Sequence, residues 1–124
     1  MLSPSQGLRT VSTDCLFCKI INRELPSEIV YEDDELLAFN DISPQAPTHM
    51  LVIPKLHVAT VNDLTEDHLD LPGKLVLRAR ALAEENGFAD SGYRLVMNCN
   101  GEGGQTVYHL HLHLLGGRQL RGLG

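Results

Sequence analysis

The chain has no tryptophan, only three cysteines, and aromatic residues at 5% of its 124 positions. Three cysteines are too few for a disulfide scaffold, and an odd count leaves one over, so a reducing cytoplasm is the simplest setting. No apolar run approaches the roughly 20 residues of a membrane span. Positive charge is scarce too: 10 Lys and Arg stand against 16 Asp and Glu, a formal net charge of −6 with His neutral. That balance argues against nucleic acid or an anionic membrane as partner, though not against a local phosphate site. Residues 1–13 lack the apolar core of a secretory signal and hold one Arg and three Ser. They read as a flexible tail ahead of a single domain over 14–124. With 43% hydrophobic and 21% charged residues, the composition is that of an ordinary soluble domain, one able to bury roughly two-thirds of its unfolded surface.

No repeat or low-complexity block interrupts this domain. "CLFCKIINREL" (15–25) reads as a short helix or turn closed by Pro26. "EIVYEDDELLAFND" (28–41) has two apolar runs around an acidic stretch, the pattern of a hairpin with a solvated turn. Two prolines make 43–49 irregular, and "HMLVIP" (49–54) is an apolar strand ended by Pro54. The long helical candidate is 64–87, with Leu75, Leu77, Ala79, Leu82 and Ala83 on its apolar face, Val76 broadening that face, and Gly87 as a stop. Asp63 with Glu66 resembles a capping box, which leaves Pro72 far inside. Either the helix kinks at Pro72 or a first turn precedes a second start near Leu71. Strands are expected at 93–100 and 105–117, separated by the tight loop "GEGG" (101–104). Hairpin-joined strands with one main helix indicate an α+β fold on an antiparallel sheet of about five strands.

Histidine is the unusual residue: three of the six sit at alternate positions, His109, His111 and His113. In a strand they share one face, and Leu110, Leu112 and Leu114 share the other, which belongs in the core. Next-but-one neighbours lie roughly 6.6 Å apart and the ends of the row roughly 13 Å apart. Metal–nitrogen bonds are about 2 Å, so one ion could join two adjacent members but not the whole row. The alternative is nucleophilic and acid–base chemistry on a charged substrate, because imidazole is largely neutral near pH 7. Separately, Cys15 and Cys18 form a C-x-x-C pair. They are either two reduced thiols or half of a zinc site that two nitrogens would complete.

"HLHLHLL" (109–115) resembles the signature of the histidine triad (HIT) superfamily. "LAFNDISPQAPTHMLVIPKLH" (37–57), "GYRLVMN" (92–98) and "GGQTVYHLHLHLLGGRQ" (103–119) are similar to its Hint branch, the histidine triad nucleotide-binding proteins. The similarity runs from about Cys15 to Gln119. The resemblance implies a homodimer whose sheets join into one, and hydrolysis of purine nucleoside 5′-phosphoramidates, typically AMP bonded through phosphorus to an amine. By match to the motif, His111 is the nucleophile and forms a nucleotidyl-histidine. His109 orients it through a backbone carbonyl, and His49 is a proton-relay partner beside it. Asn98, Thr106, the backbone N–H of Val107 and His113 hold phosphate oxygens. Asp41 accepts from the ribose hydroxyls, and Phe17, Ile20, Phe39, Ile42 and Leu51 wall the base pocket. Read without the resemblance, those five apolar residues would be core, and Asp41 and Asn98 turn residues.

No cofactor is required for that chemistry. A subset of the family carries the Cys pair with a structural zinc, and the match there indicates His57 and His109 as the other two ligands. Thr106 stands where the branch usually has Ser, Asn40 replaces a more usual His or Arg, and "RQLRGLG" (118–124) lacks the usual Trp-Pro-Pro tail. Two other functions use the same triad: dinucleoside polyphosphate hydrolysis or nucleotidyl transfer, and nucleotide binding as a scaffold with vestigial catalysis.

Overall fold

The sheet begins with the expected hairpin, β1 (Ile29–Glu32) against β2 (Leu36–Asn40). Asp33 holds its turn: one carboxylate oxygen accepts from the backbone N–H groups of Glu35 and Leu36, each at 2.8 Å. An acidic side chain used this way substitutes for a backbone turn. The structure, a computed structural model, describes residues 14–123. The tail expected over 1–13 lies outside the described residues.

β3 (Thr48–Pro54), β4 (Tyr93–Val96) and β5 (Leu112–Gly116) complete a five-stranded sheet in the order β1-β2-β3-β5-β4, and every neighbouring pair is antiparallel. The two longest strands that neighbour each other, β2 and β3, are buried on both faces. That explains why their sequences read as continuous apolar runs rather than alternations. Leu36, Ala38, Met50 and Val52 point to one side with Leu110, Leu112 and Leu114. Leu37, Phe39, Leu51 and Ile53 point to the other. Each face receives one helix.

The first face is covered by α2 (Leu71–Glu85), whose Leu75, Ala79, Leu82 and Ala83 are buried. Pro72 sits in its first turn, where a missing N–H costs nothing. The second start near Leu71 is therefore the correct alternative, and there is no kink. Leu77 is 62% exposed and Val76 43%. At 100° per residue Leu77 falls on the side opposite Leu75, so the sequence reading of its burial was too generous. The capping box also moves. Asp63 closes a 3₁₀ turn (Val61–Asp63) opened by Thr60, and a second turn (Glu66–His68) is opened by Thr65 and closed by His68.

The second face is covered by α1 (Leu16–Ile21), capped by Cys15, whose Sγ accepts from the Cys18 N–H at 3.3 Å. It stops well before Pro26, because Asn22 caps it and Arg23 turns left-handed at φ 64°. Phe17, Cys18 and Ile20 are its buried residues.

Two strands are shorter than their sequences suggested. β4 ends at Val96 because the chain turns away through Asn98, whose Nδ2 donates to the Gly103 carbonyl at 2.6 Å. β5 starts at Leu112, not at Gln105. Its partner β3 ends at Pro54, and the preceding residues bond instead to the loop beyond: the Leu110 N–H donates to the Val58 carbonyl at 2.6 Å. At the far end, a Cβ on Gly116 would meet the Phe88 ring at 2.5 Å, so only glycine lets the strand pass beneath that ring.

Candidate active site and metal cluster

Side-chain alternation survives although the ladder begins late. Leu110, Leu112 and Leu114 are in the core beneath α2, and the three histidines face α1. His109 is fully buried, His111 is 6% exposed, and His113 is half-buried. The rings of His111 and His113 stand 5.0 Å apart, centroid to centroid. The edge of Phe17 packs on His111 at 5.1 Å.

Carbonyl oxygens only accept, and backbone N–H groups only donate, so the proton positions follow from the partners. His111 Nδ1 lies 2.7 Å from the His109 carbonyl oxygen. It must carry the proton, leaving the Nε2 lone pair bare. His49 Nδ1 accepts from the Gln45 N–H at 3.0 Å, so its proton is on Nε2. That Nε2–H meets His113 Nδ1 at 2.9 Å, and the Asp41 carboxylate lies 3.4 Å away. His113 Nδ1 then accepts, and its own proton sits on Nε2. The chain Gln45–His49–His113 therefore presents one N–H outward, beside the bare nitrogen of His111.

Burial holds these rings neutral. It lowers the pKa of His49 and His111, and pushes His113 down to about 4 with the help of the neighbouring His111 and His49. Desolvation penalises the imidazolium, which keeps a lone pair available at neutral pH.

The other expected site residues divide. Phe17, Ile20, Phe39 and Leu51 gather in one apolar cluster with Val107 against it. Ile42 does not join them: it is 93% exposed, so neither the core reading nor a preformed wall describes it in the free chain. Asp41 accepts from the Ser43 N–H at 2.8 Å, as a turn residue does, and also faces His49. Asn98 spends one amide N–H on Gly103, and the second remains for an anion. His49 contacts His113, one position along from the neighbour expected for it.

Gln105 is the residue that sequence reasoning missed. It is buried, and its amide oxygen accepts from the Asn100 N–H at 2.8 Å. Its amide nitrogen donates to the carbonyls of Ala59 at 2.8 Å and Val107 at 3.1 Å. It thus pins the glycine loop and the Thr106–Val107 backbone to the far side of the sheet's end. The only signal was a large amide placed between a glycine pair and an apolar strand.

The fourth feature is a cluster of two thiols and two rings. His109 Nε2 donates to the Pro54 carbonyl at 2.8 Å, so its Nδ1 is bare. That nitrogen lies 3.4 Å from Cys15 Sγ, 3.6 Å from Cys18 Sγ and 3.1 Å from His57 Nδ1. His57 Nδ1 is 3.3 Å from Cys18 Sγ. A zinc tetrahedron with bonds of about 2.3 Å to sulfur and about 2.0 Å to nitrogen has edges of about 3.3 Å between nitrogens, about 3.5 Å between nitrogen and sulfur and about 3.8 Å between sulfurs. The four donors therefore fit a zinc-class ion. A ligating histidine fixed through its other nitrogen by a carbonyl is the usual support for such an ion.

A five-stranded antiparallel sheet, carrying alternate histidines that run out of its central strands toward a glycine loop, defines a histidine triad protein. The chain belongs to the HIT superfamily. A family model described as "Scavenger mRNA decapping enzyme C-term binding" matches residues 14–122. The purine nucleoside phosphoramidase of Escherichia coli K12 is 54% identical over 110 residues, covering 89% of this chain and 92% of that protein. A HIT family hydrolase from Legionella pneumophila Philadelphia 1 has 56% identity and a TM-score of 0.85, covering 87% of this chain and 96% of that one. A zinc-bound histidine triad family protein from Mycobacterium smegmatis has 32% identity and a TM-score of 0.73, covering 85% and 76%.

Proposed function

We propose that this chain is a purine nucleoside phosphoramidate hydrolase of the adenosine 5′-monophosphoramidase type, acting through a covalent intermediate on His111. The observation that carries the reading is the bare Nε2 of His111, fixed by the 2.7 Å bond from Nδ1 to the His109 carbonyl. The purine nucleoside phosphoramidase of E. coli, at 54% identity, supports the substrate class.

The steps balance as follows. His111 Nε2 attacks the α-phosphorus, the phosphorus–nitrogen bond to the amine breaks, and the departing amine takes a proton that the His49–His113 pair has first drawn from solvent, which returns both rings to their neutral state. Water then attacks the nucleotidyl-histidine, AMP leaves with His111 restored, and the water's proton passes back to solvent. Splitting one displacement into two avoids a direct attack by water on an amine-bearing phosphorus. Charge on the phosphate oxygens is met by the second N–H of Asn98, the Thr106 hydroxyl, the Val107 N–H and the His113 Nε2–H, donors of the kind that stabilise developing charge. Asp41 accepts from the ribose. Phe17, Ile20, Phe39 and Leu51 take the base, and Ile42 closes over it from the surface once a nucleotide is bound.

The Cys15–Cys18–His57–His109 cluster holds a structural zinc, which ties α1 to the sheet and supplies no step of the reaction. The chain works in the cytoplasm, with no helix among the described residues long and apolar enough to cross a membrane. It forms a homodimer through the open edge of β4. The half-buried residues of that strand and the exposed Val76 and Leu77 of α2 suit a second copy.

Mass spectrometry of the chain mixed with an adenosine phosphoramidate tests the chemistry. A protein heavier by one AMP unit, lost when His111 is replaced, is the expected result. Turnover with the adduct on another residue refutes the assignment. Faster cleavage of a dinucleoside polyphosphate in parallel kinetics would move the chain to the other branch.

A further inference from the structure

We propose that the Cys15–Cys18–His57–His109 cluster positions the nucleophile: a zinc-class ion bound there sets the orientation of the His111 imidazole. The proposal rests on the reading of His111 as nucleophile, and it goes beyond a structural tether.

His109 belongs to both sites. Its ring is held from two sides, with Nδ1 aimed at the two thiols and His57 and Nε2 bonded to the Pro54 carbonyl at 2.8 Å. Its own carbonyl is the acceptor that fixes His111 at 2.7 Å. A ring pinned at both nitrogens restricts the backbone that carries it, so the acceptor for His111 is placed from the cluster.

A second connection runs through α1. Phe17 lies between the two cysteines in sequence, and its ring packs edge-on against His109 at 6.0 Å and His111 at 5.1 Å. A helix of six residues is too short to hold itself. An ion at Cys15 and Cys18 would thus clamp the first turn of α1, the turn that holds Phe17 against the nucleophile. Both connections lead from the same four ligands to the same imidazole.

The edge of the cluster meets a surface hollow of about 420 Å³ that Cys15, His57, Thr106 and Val107 help to line. Cys18 and His109 lie buried behind that lining, so the hollow meets two of the four donors.

The experiment uses the full chain, stripped by a chelator and reloaded with Zn²⁺. Metal content, the ¹⁵N resonances of the His111 ring, AMP affinity by calorimetry, and kcat and KM on an adenosine phosphoramidate are measured in each state. The loaded chain should hold one ion and show a single His111 tautomer. Stripping should move the His111 resonances and lower kcat about tenfold or more, the size seen when support around a ligand is lost. AMP affinity should stay within about threefold, and reloading should restore the His111 resonances and kcat. A chain that takes up no ion, or one whose His111 resonances and kcat ignore stripping, overturns the proposal. Should stripping unfold the chain, His57→Ala, which removes one ligand and touches no part of His111, decides: a folded variant that has lost the ion with the His111 resonances shifted supports it, while unmoved resonances overturn it. If no phosphoramidate is cleaved in any state, the functional reading fails, and the His111 resonances still decide the positioning claim.

Discussion

Both faces of the sheet bury hydrocarbon, the face beneath α2 more of it, and they are finished differently. Beneath α2, Leu75, Ala79, Leu82 and Ala83 meet Leu110, Leu112 and Leu114 in a core of apolar side chains. Beneath α1, the same strands present Leu37, Phe39, Leu51 and Ile53, but the buried set also includes Cys15 and Cys18, with His109 and His111 packed against Phe17. Water-free surroundings strengthen hydrogen bonds and hold imidazoles neutral, so the second face can do chemistry only because it is nearly as dry as the first. The first face supplies the stability that lets the second carry buried polar groups, each of which costs free energy unless it is paired.

The sharpest way to break this comparison is one substitution on each face. His111→Asn should lower phosphoramidate turnover by about 10³-fold or more, with the thermal midpoint nearly unchanged, because the covalent route is lost while the ring's volume is roughly kept. Leu82, 1% exposed, is its counterpart. Leu82→Ala should cost about 3 kcal/mol in denaturant unfolding, from lost burial plus the cavity left behind, and leave kcat intact at temperatures where the chain stays folded. Equal effects of the two variants on both readouts would erase the distinction between the faces.

Gln105 sits where the faces meet. Gln105→Leu should cost about 1–3 kcal/mol, because the Asn100 N–H and the Ala59 carbonyl lose their partner. KM should rise as the Thr106–Val107 backbone loosens, and steady-state kinetics beside urea melts would show it. A stable variant with unchanged KM would show that the glycine loop holds itself.

The smallest effect is on pH dependence. Burial and two neighbouring histidines place His113 at about 4 in the folded chain, against an ordinary value near 6.5. A depressed pKa means that the unfolded chain binds the proton first. The stability tied to this ring is therefore present above about pH 6.5 and falls away as pH drops toward about 4. Activity should stay flat down to mildly acidic pH and fall as the relay protonates. Melting curves across that range, with wild type compared to His113→Asn, isolate the contribution. A variant as acid-sensitive as wild type would assign the loss to other groups.

Periodicity carried a good deal of this. Alternation placed His109, His111 and His113 on one face and three leucines on the other, although only Leu112 onward is paired as a strand. The acidic turn after β1 and the restart of the helix near Leu71 were legible because Asp33 and Pro72 act through their immediate neighbours. Leu77 was misread because a helical face is about a hundred degrees wide, and nothing in the order of residues says which neighbour will cover its margins. Gln105 was invisible because its partners, Ala59 above all, are distant in the chain.

The order of residues alone located the main strands and helix, though not their ends, the facing of the histidine row and the family resemblance, since each rests on spacing within a few residues or on a contiguous motif. The resemblance already put His57 with His109 and the His109 carbonyl with His111; only the folded chain decided that His49 meets His113 and supplied the distances of all three contacts. Those pairings form when β3 lies antiparallel beside β5 and the loop beyond Pro54 folds back. A hydrogen bond depends on position to within a few tenths of an ångström. That precision comes from the packing of a whole sheet, and no local pattern carries it.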